Sequence, residues 1–125
     1  MVELSVILIT WNAEQYVQNC FDSLLESTQG FSREIIVVDN GSTDSTPEMI
    51  KLYASIHPEI RFIANKENLG VAGGRNIALK EATGEYVWIL DIDTIANRMA
   101  FESMMDYIVQ DKACGICTCK LKNSY

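Results

Sequence analysis

Short apolar runs alternate along this chain with segments whose apolar residues recur every three or four positions, and that alternation restricts the fold more than any other feature. Leu4 to Ile9 is unbroken except at Ser5, too short for a helix and rich in Val and Ile, so it reads as a strand covered on both faces. Asn12 followed by Gln15 fits a capped helix start, and Val17, Cys20, Phe21, Leu24 and Leu25 give that helix one apolar face as far as Ser27. The pattern then repeats. Ile35 to Val38 is a second buried strand, Asp39 to Thr46 a polar turn, and Pro47 suits the first turn of a helix striped by Met49, Ile50, Tyr53 and Ala54. Ile60 to Ala64 makes a third strand, and Gly70 to Gly74 a flexible loop into a helix through Ile77, Ala78 and Ala82, which Gly84 terminates. Tyr86 to Leu90 is the fourth strand. A helix with Phe101, Met104, Met105 and Ile108 on one side follows, and then a short buried strand from Ala113 to Cys119.

This order predicts an α/β fold: a mostly parallel sheet with helices on both faces, right-handed crossovers, and ligands gathered beyond the carboxyl ends of the strands. At 125 residues the chain reads as a single domain around one core. Hydrophobic residues at 48 %, with only 2 Pro and 7 Gly, argue against disorder. A net charge of −7, with 10 Lys and Arg scattered along the chain, argues against a nucleic-acid partner. It leaves room for a single nucleotide diphosphate, which a carboxylate-held cation can neutralise locally. No apolar run approaches the roughly 20 residues that span a bilayer, and no secretory signal leads the chain, so it reads as cytoplasmic, with membrane association of a full-length protein as the alternative.

The polar strand ends carry the candidate chemistry: Thr10, Trp11 and Asn12; Asp39 to Asp44; Asn65 to Gly74; and Asp91 to Asp93. The first three, taken singly, are also ordinary turn and cap residues. The fourth is different, because an apolar strand ending in two carboxylates one residue apart invites a cation. Hard oxygen ligands select Mg²⁺ or Mn²⁺, and a site with one or two protein carboxylates leaves coordination places for phosphate oxygens. Asp39 either caps its turn or accepts hydrogen bonds from a base or ribose. Gly70, Gly73 and Gly74 allow close backbone approach, with Arg75 offering charge, yet their spacing matches neither the dinucleotide fingerprint nor a Walker loop. Cys114, Cys117 and Cys119 lack a fourth ligand nearby and read as small core residues rather than a zinc site. His57 reads as a surface residue, nothing builds a Ser or Cys triad, and Asn40-Gly41-Ser42 matches the glycosylation pattern by chance.

Together the four segments resemble family 2 glycosyltransferases, which have the GT-A fold, a Rossmann-like nucleotide-binding half. Val6 to Asn12 is similar to the family's opening strand and turn, and IIVVDNGSTD from Ile35 to its second strand and loop. NLGVAGGRN from Asn68 resembles the third segment, and ATGEYVWILDID from Ala82 the strand that ends in the DXD motif. The resemblance implies transfer of a sugar with inversion from a nucleotide-diphosphate sugar of UDP, dTDP or GDP type to a glycan or lipid-linked acceptor, in polysaccharide biosynthesis. It implies that Thr10, Asn12, Glu14, Asp39, Gly70, Arg75 and Asp91 bind the donor and that Asp93, with Asp91, holds Mn²⁺ or Mg²⁺. The family's general base lies well downstream of the DXD motif, in an acceptor half. Asp106 and Asp111 do not fit that place, so no base is assigned. The chain is expected to be a truncated donor-binding portion, inactive by itself and prone to homo-oligomerise through an exposed sheet edge or apolar face. Ile9, Trp11, Asn40 and Ala78 depart from the commoner family pattern, and Asn40 bears most directly on the contacts of Asp39.

Three other readings compete. Asp91-Ile92-Asp93-Thr94 matches the haloacid-dehalogenase-like phosphatase motif, with Asp91 as nucleophile, but that motif belongs on an early strand. A phosphoacceptor receiver domain would use Asp39, yet lacks the acidic pair expected after the first strand. A non-catalytic sugar-nucleotide-binding module shares the whole donor half.

Overall fold

The computed structural model describes residues 1–120. Four parallel strands, β1 (Leu4–Thr10), β2 (Arg33–Asp39), β3 (Ile60–Ala64) and β4 (Tyr86–Ile89), lie in the order β3-β2-β1-β4. Helices α1 (Glu14–Ser27), α2 (Thr46–Ile56), α3 (Gly70–Glu81) and α4 (Arg98–Gln110) alternate with them. Because side chains alternate across a strand, Leu4, Val6 and Leu8 of β1 pack with Ile35 and Val37 of β2 against α1, α2 and α4. Ile7, Ile36 and Val38 point the other way, against Ala78 and Ile77 of α3. The central strands are thus covered twice, as their continuous apolar runs require.

The edge strands are not. In β4 burial alternates, and Val87 and Ile89 remain 43 % and 46 % exposed, while Trp88 turns inward and stacks on Phe101 at 4.9 Å. The ladder stops at Ile89, although Leu90 N–H still donates to Ile7 C=O at 3.0 Å. Unlike β3, which carries Arg61, β4 has no charged residue to guard its outer edge.

Several local expectations fail, the first because a distant partner outcompetes a near one. Asn12 does not cap α1: the N–H groups of Ala13 and Glu14 bond Thr46 Oγ1 (2.9 Å) and Asp44 Oδ2 (3.2 Å) from the loop after β2. Gly70 to Gly74 form the first turn of α3 itself rather than a loop. Gly84 ends no helix; α3 stops at Glu81, and Gly84 lets the chain pass directly over β1. Ala113 to Cys119 is not a strand and pairs with none of the four described strands, and Cys114, Cys117 and Cys119 are half-buried rather than core residues. His57 closes α2 half-buried, its ring stacked on Tyr53 at 6.5 Å.

On the α3 face a polar clamp ties three segments. Glu34 Oε1 accepts hydrogen bonds from Ser5 Oγ (2.6 Å), Thr83 N–H (2.6 Å) and Thr83 Oγ1 (3.0 Å). Burial alone would raise this carboxyl, but those donors, joined by the charge of Arg61, outweigh it and hold it below the ordinary glutamate value. A lowered folded pKa contributes stability that is complete above the unfolded value of about 4.3 and is lost as pH falls through the folded value. The denaturation midpoint is therefore expected to drop on acidification through that window, and Glu34→Gln to flatten the drop. An unchanged acid slope in the variant would remove Glu34 from this role.

Candidate functional site

In the order β3-β2-β1-β4 the chain steps outward from β1 to β3 and then crosses to the opposite side of β1. The switch point therefore falls between β1 and β4, where an open parallel sheet leaves a crevice beyond its carboxyl edge. A cleft of ≈ 400 Å³ opens there. Its walls include Thr10 at the end of β1 with Trp11 and Asn12 after it, Asp91, Ile92 and Asp93 after β4, and Gly70 and Arg75 from α3. Six of the residues singled out from sequence thus meet in one place.

The other two, Asp39 and Glu14, are not in the cleft wall. Asp39 is 2 % exposed beneath it, in register with Thr10 across the central strands. Its Oδ1 accepts from Thr10 Oγ1 (2.8 Å) and Ser42 Oγ (2.6 Å), and its Oδ2 from Ser42 N–H (2.9 Å). Ser42 Oγ in turn accepts from Asn12 N–H at 2.9 Å, while Asn12 Oδ1 accepts from Thr43 N–H at 2.7 Å. That closure puts Asn12 at φ +44°, a backbone state Asn tolerates better than most residues. Glu14 faces the same loop, its Oε2 accepting from Ser45 N–H at 2.9 Å.

Asn40 faces away from Asp39. Its Nδ2 donates to Gly70 C=O (3.0 Å) and its Oδ1 accepts from Asn65 Nδ2 (2.9 Å), so one amide fixes the start of α3 against the ends of β2 and β3. Gly70 itself sits at φ +76°, where a side chain would be strained. At 2 % exposure Asn40 is inaccessible as a glycosylation acceptor.

On the far wall Asp91 and Asp93 are presented by a tight turn, closed by Thr94 N–H on Asp91 C=O at 3.0 Å. Arg75 Nη2 reaches Asp91 Oδ1 at 3.0 Å, a pair whose side chains are 34 % and 71 % exposed. Cys20 lies below this turn, its thiol pushed up to about 12 by burial and then by the negative charge of Asp93, so it is inert. Among the described residues no group of three or more His, Cys, Asp or Glu gathers for a metal. An ion held by Asp91 and Asp93 would have to accept two hard carboxylates and fill its remaining places with water and phosphate oxygens, which is the habit of Mg²⁺ and Mn²⁺.

Sequence reasoning did not single out Tyr16, named Asn40 and Asn68 only within its candidate segments, and gave no role to Trp11; all four line the cleft, Trp11 55 % exposed there. Tyr16 carried a usable signal, since it falls off the buried stripe of α1 and is 42 % exposed.

The model of the family described as "Glycosyl transferase family 2" matches residues 5–124. The chain belongs to glycosyl transferase family 2. It is 34 % identical over 109 residues to an uncharacterized glycosyltransferase, YibD, of Escherichia coli, covering 87 % of this chain and 31 % of that protein. It is 32 % identical over 111 residues to the minor teichoic acid biosynthesis protein GgaB of Bacillus subtilis, covering 88 % of this chain and 12 % of GgaB. Among solved structures, residues 1–349 of S. aureus TarS in complex with UDP-GlcNAc superpose with a TM-score of 0.76 at 31 % identity, covering 87 % of this chain and 32 % of that one. The mannosyltransferase PcManGT of Pyrobaculum calidifontis, in complex with GDP-Man and Mn²⁺, gives 0.77 at 30 %, covering 85 % and 32 %. The fold is therefore that of the GT-A enzymes. Family membership accounts for the four motifs together, which the phosphatase-like and receiver readings leave unexplained. The chain spans about a third of TarS 1–349 and PcManGT, and between 12 % and 42 % of its curated relatives. Among the described residues no helix is long and apolar enough to cross a membrane.

Proposed function

We propose that this chain is the donor-binding portion of an inverting glycosyltransferase and holds a nucleotide-diphosphate sugar, with Mn²⁺ or Mg²⁺, in the cleft between β1 and β4. The observation that carries the reading is the convergence of Thr10, Asn12, Gly70, Arg75, Asp91 and Asp93 on one cleft at the sheet's switch point. Relatives solved with UDP-GlcNAc, and with GDP-Man and Mn²⁺, support it. Asp93, with Asp91 beside it, would hold the ion. Bound there, a divalent cation supplies Lewis-acid stabilisation of the departing diphosphate. Trp11 and Tyr16 offer aromatic faces to a base, and Asp39, through Thr10 and Ser42, keeps that wall rigid while retaining acceptor capacity on Oδ2. Asp106 is exposed on α4 and Asp111 closes its end, both outside the cleft, so neither serves as general base. The acceptor, a glycan or lipid-linked one as the teichoic acid relatives suggest, and the base that deprotonates it belong to a part of the enzyme beyond these residues. The unguarded edge of β4 is the surface through which a second copy, or that further part, would extend the sheet.

Calorimetry with UDP, GDP and dTDP, with and without Mn²⁺, tests the reading. One nucleotide is expected to bind only with the ion, and Asp93→Ala to lose that binding at least tenfold while remaining folded. A well-folded wild-type chain that binds none of the three overturns it.

A further inference from the structure

Three charged side chains line the cleft, Arg75, Asp91 and Asp93, and Arg75 partners Asp91 at 3.0 Å. We infer that Arg75 is a built-in counter-cation: it keeps a divalent ion out of the cleft until the diphosphate arrives, so that nucleotide and ion load together. The inference rests on the proposed function and adds the order in which the site fills.

Arg75 stands on α3, whose Gly74 and Ala78 are buried against the sheet, so its guanidinium is delivered from a fixed base. Paired with Asp91, it does two things to an incoming ion. It occupies one of the two carboxylates such an ion requires, and its charge reduces the local net charge from −2 to −1, counting Asp91 and Asp93 against Arg75. An exposed ion pair of this kind is weakly held, which suits a contact that must exchange. A diphosphate reverses both effects. Its oxygens compete for the planar guanidinium, which matches phosphate bidentately, and so release Asp91. They also supply the ligands that two carboxylates lack. Ion and nucleotide then favour one another by equal factors, as linkage demands.

The probe is Mn²⁺ alone, followed by the paramagnetic resonance signal of the free ion, on the wild-type chain, Arg75→Gln, Arg75→Lys, and Arg75→Gln combined with Asp93→Asn. Circular dichroism confirms that each is folded. Arg75→Gln is expected to bind Mn²⁺ roughly three- to tenfold tighter than wild type, the span expected from removing one screened charge a few ångströms away. Arg75→Lys, which keeps the charge, stays within about twofold of wild type, and the double variant loses the gain. Equal affinities in wild type and Arg75→Gln, or the same gain in Arg75→Lys, overturn the inference. A parallel titration of wild type with nucleotide plus Mn²⁺ separates the two claims. No binding there overturns the proposed function and joint loading with it, whereas binding there without a gain in Arg75→Gln overturns the inference alone.

Discussion

Asp39→Ala is expected to abolish nucleotide binding and to cost about 3 kcal/mol of stability, the largest functional effect of any single substitution in the site. The carboxylate is buried and accepts from Thr10 Oγ1, Ser42 N–H and Ser42 Oγ. Hydrogen bonds to a charged group contribute about 1.5–3 kcal/mol each, and truncation leaves three donors without their acceptor. The loop from Asn40 to Ser45 would then lose its anchor to β1, and with it the Ser42 and Thr43 contacts that set the strained Asn12 backbone in the cleft wall. Asp39→Asn should fall between the two, since its amide keeps one acceptor oxygen but turns a second N–H group toward the Ser42 N–H. Urea denaturation of the three proteins, together with calorimetry, decides the matter. Wild-type stability and affinity in Asp39→Ala would show that the carboxylate organises nothing.

Gly84→Ala should be the most destabilising single-methyl addition, at about 3 kcal/mol and a fall in Tm of roughly 10 °C. A Cβ there would stand 2.5 Å from Ser5 N, 2.6 Å from Ser5 Oγ and 2.8 Å from Leu4 C. Two of those atoms are backbone of β1, the central strand, held by ladders to both β2 and β4, so they cannot retreat. The substitution would also displace the Gly84 N–H from Ser5 Oγ (2.7 Å) and loosen the Glu34 clamp. Gly115→Ala is the control: nothing lies within 4 Å of its Cβ, and its change should stay within about 0.5 kcal/mol. Differential scanning calorimetry compares the two, and equal midpoints would refute the close approach.

The sheet was legible because its central strands are buried on both faces, a condition that leaves long runs of Val and Ile such as Leu4 to Ile9 and Ile35 to Val38. The helices that cover it were legible from their single stripes, and α4 buries the Phe101 and Met105 that its spacing singled out. The strand assigned to Ala113–Cys119 failed because a strand is defined by a neighbour, and composition cannot provide one. Gly84 was misread for a related reason: glycine ends helices and also admits close contacts, and only the position of β1 distinguishes the two.

For the site, the sequence alone determined which residues stand at the strand ends, because alternation of strand and helix sends every strand in one direction and every following turn to one edge. Thr10, Asn12, Gly70, Arg75, Asp91 and Asp93 share the cleft for that reason. Only the tertiary structure decided what each one touches. Asp39 faces inward to Thr10 and Ser42, Glu14 braces the loop at Ser45, Asn40 holds α3, and Arg75 is paired with Asp91. Apart from Asp39 with Ser42, three positions away, these contacts join residues 16 to 31 positions apart, set by how two loops and a helix pack, and side-chain pairing at that separation leaves no periodic trace in the sequence.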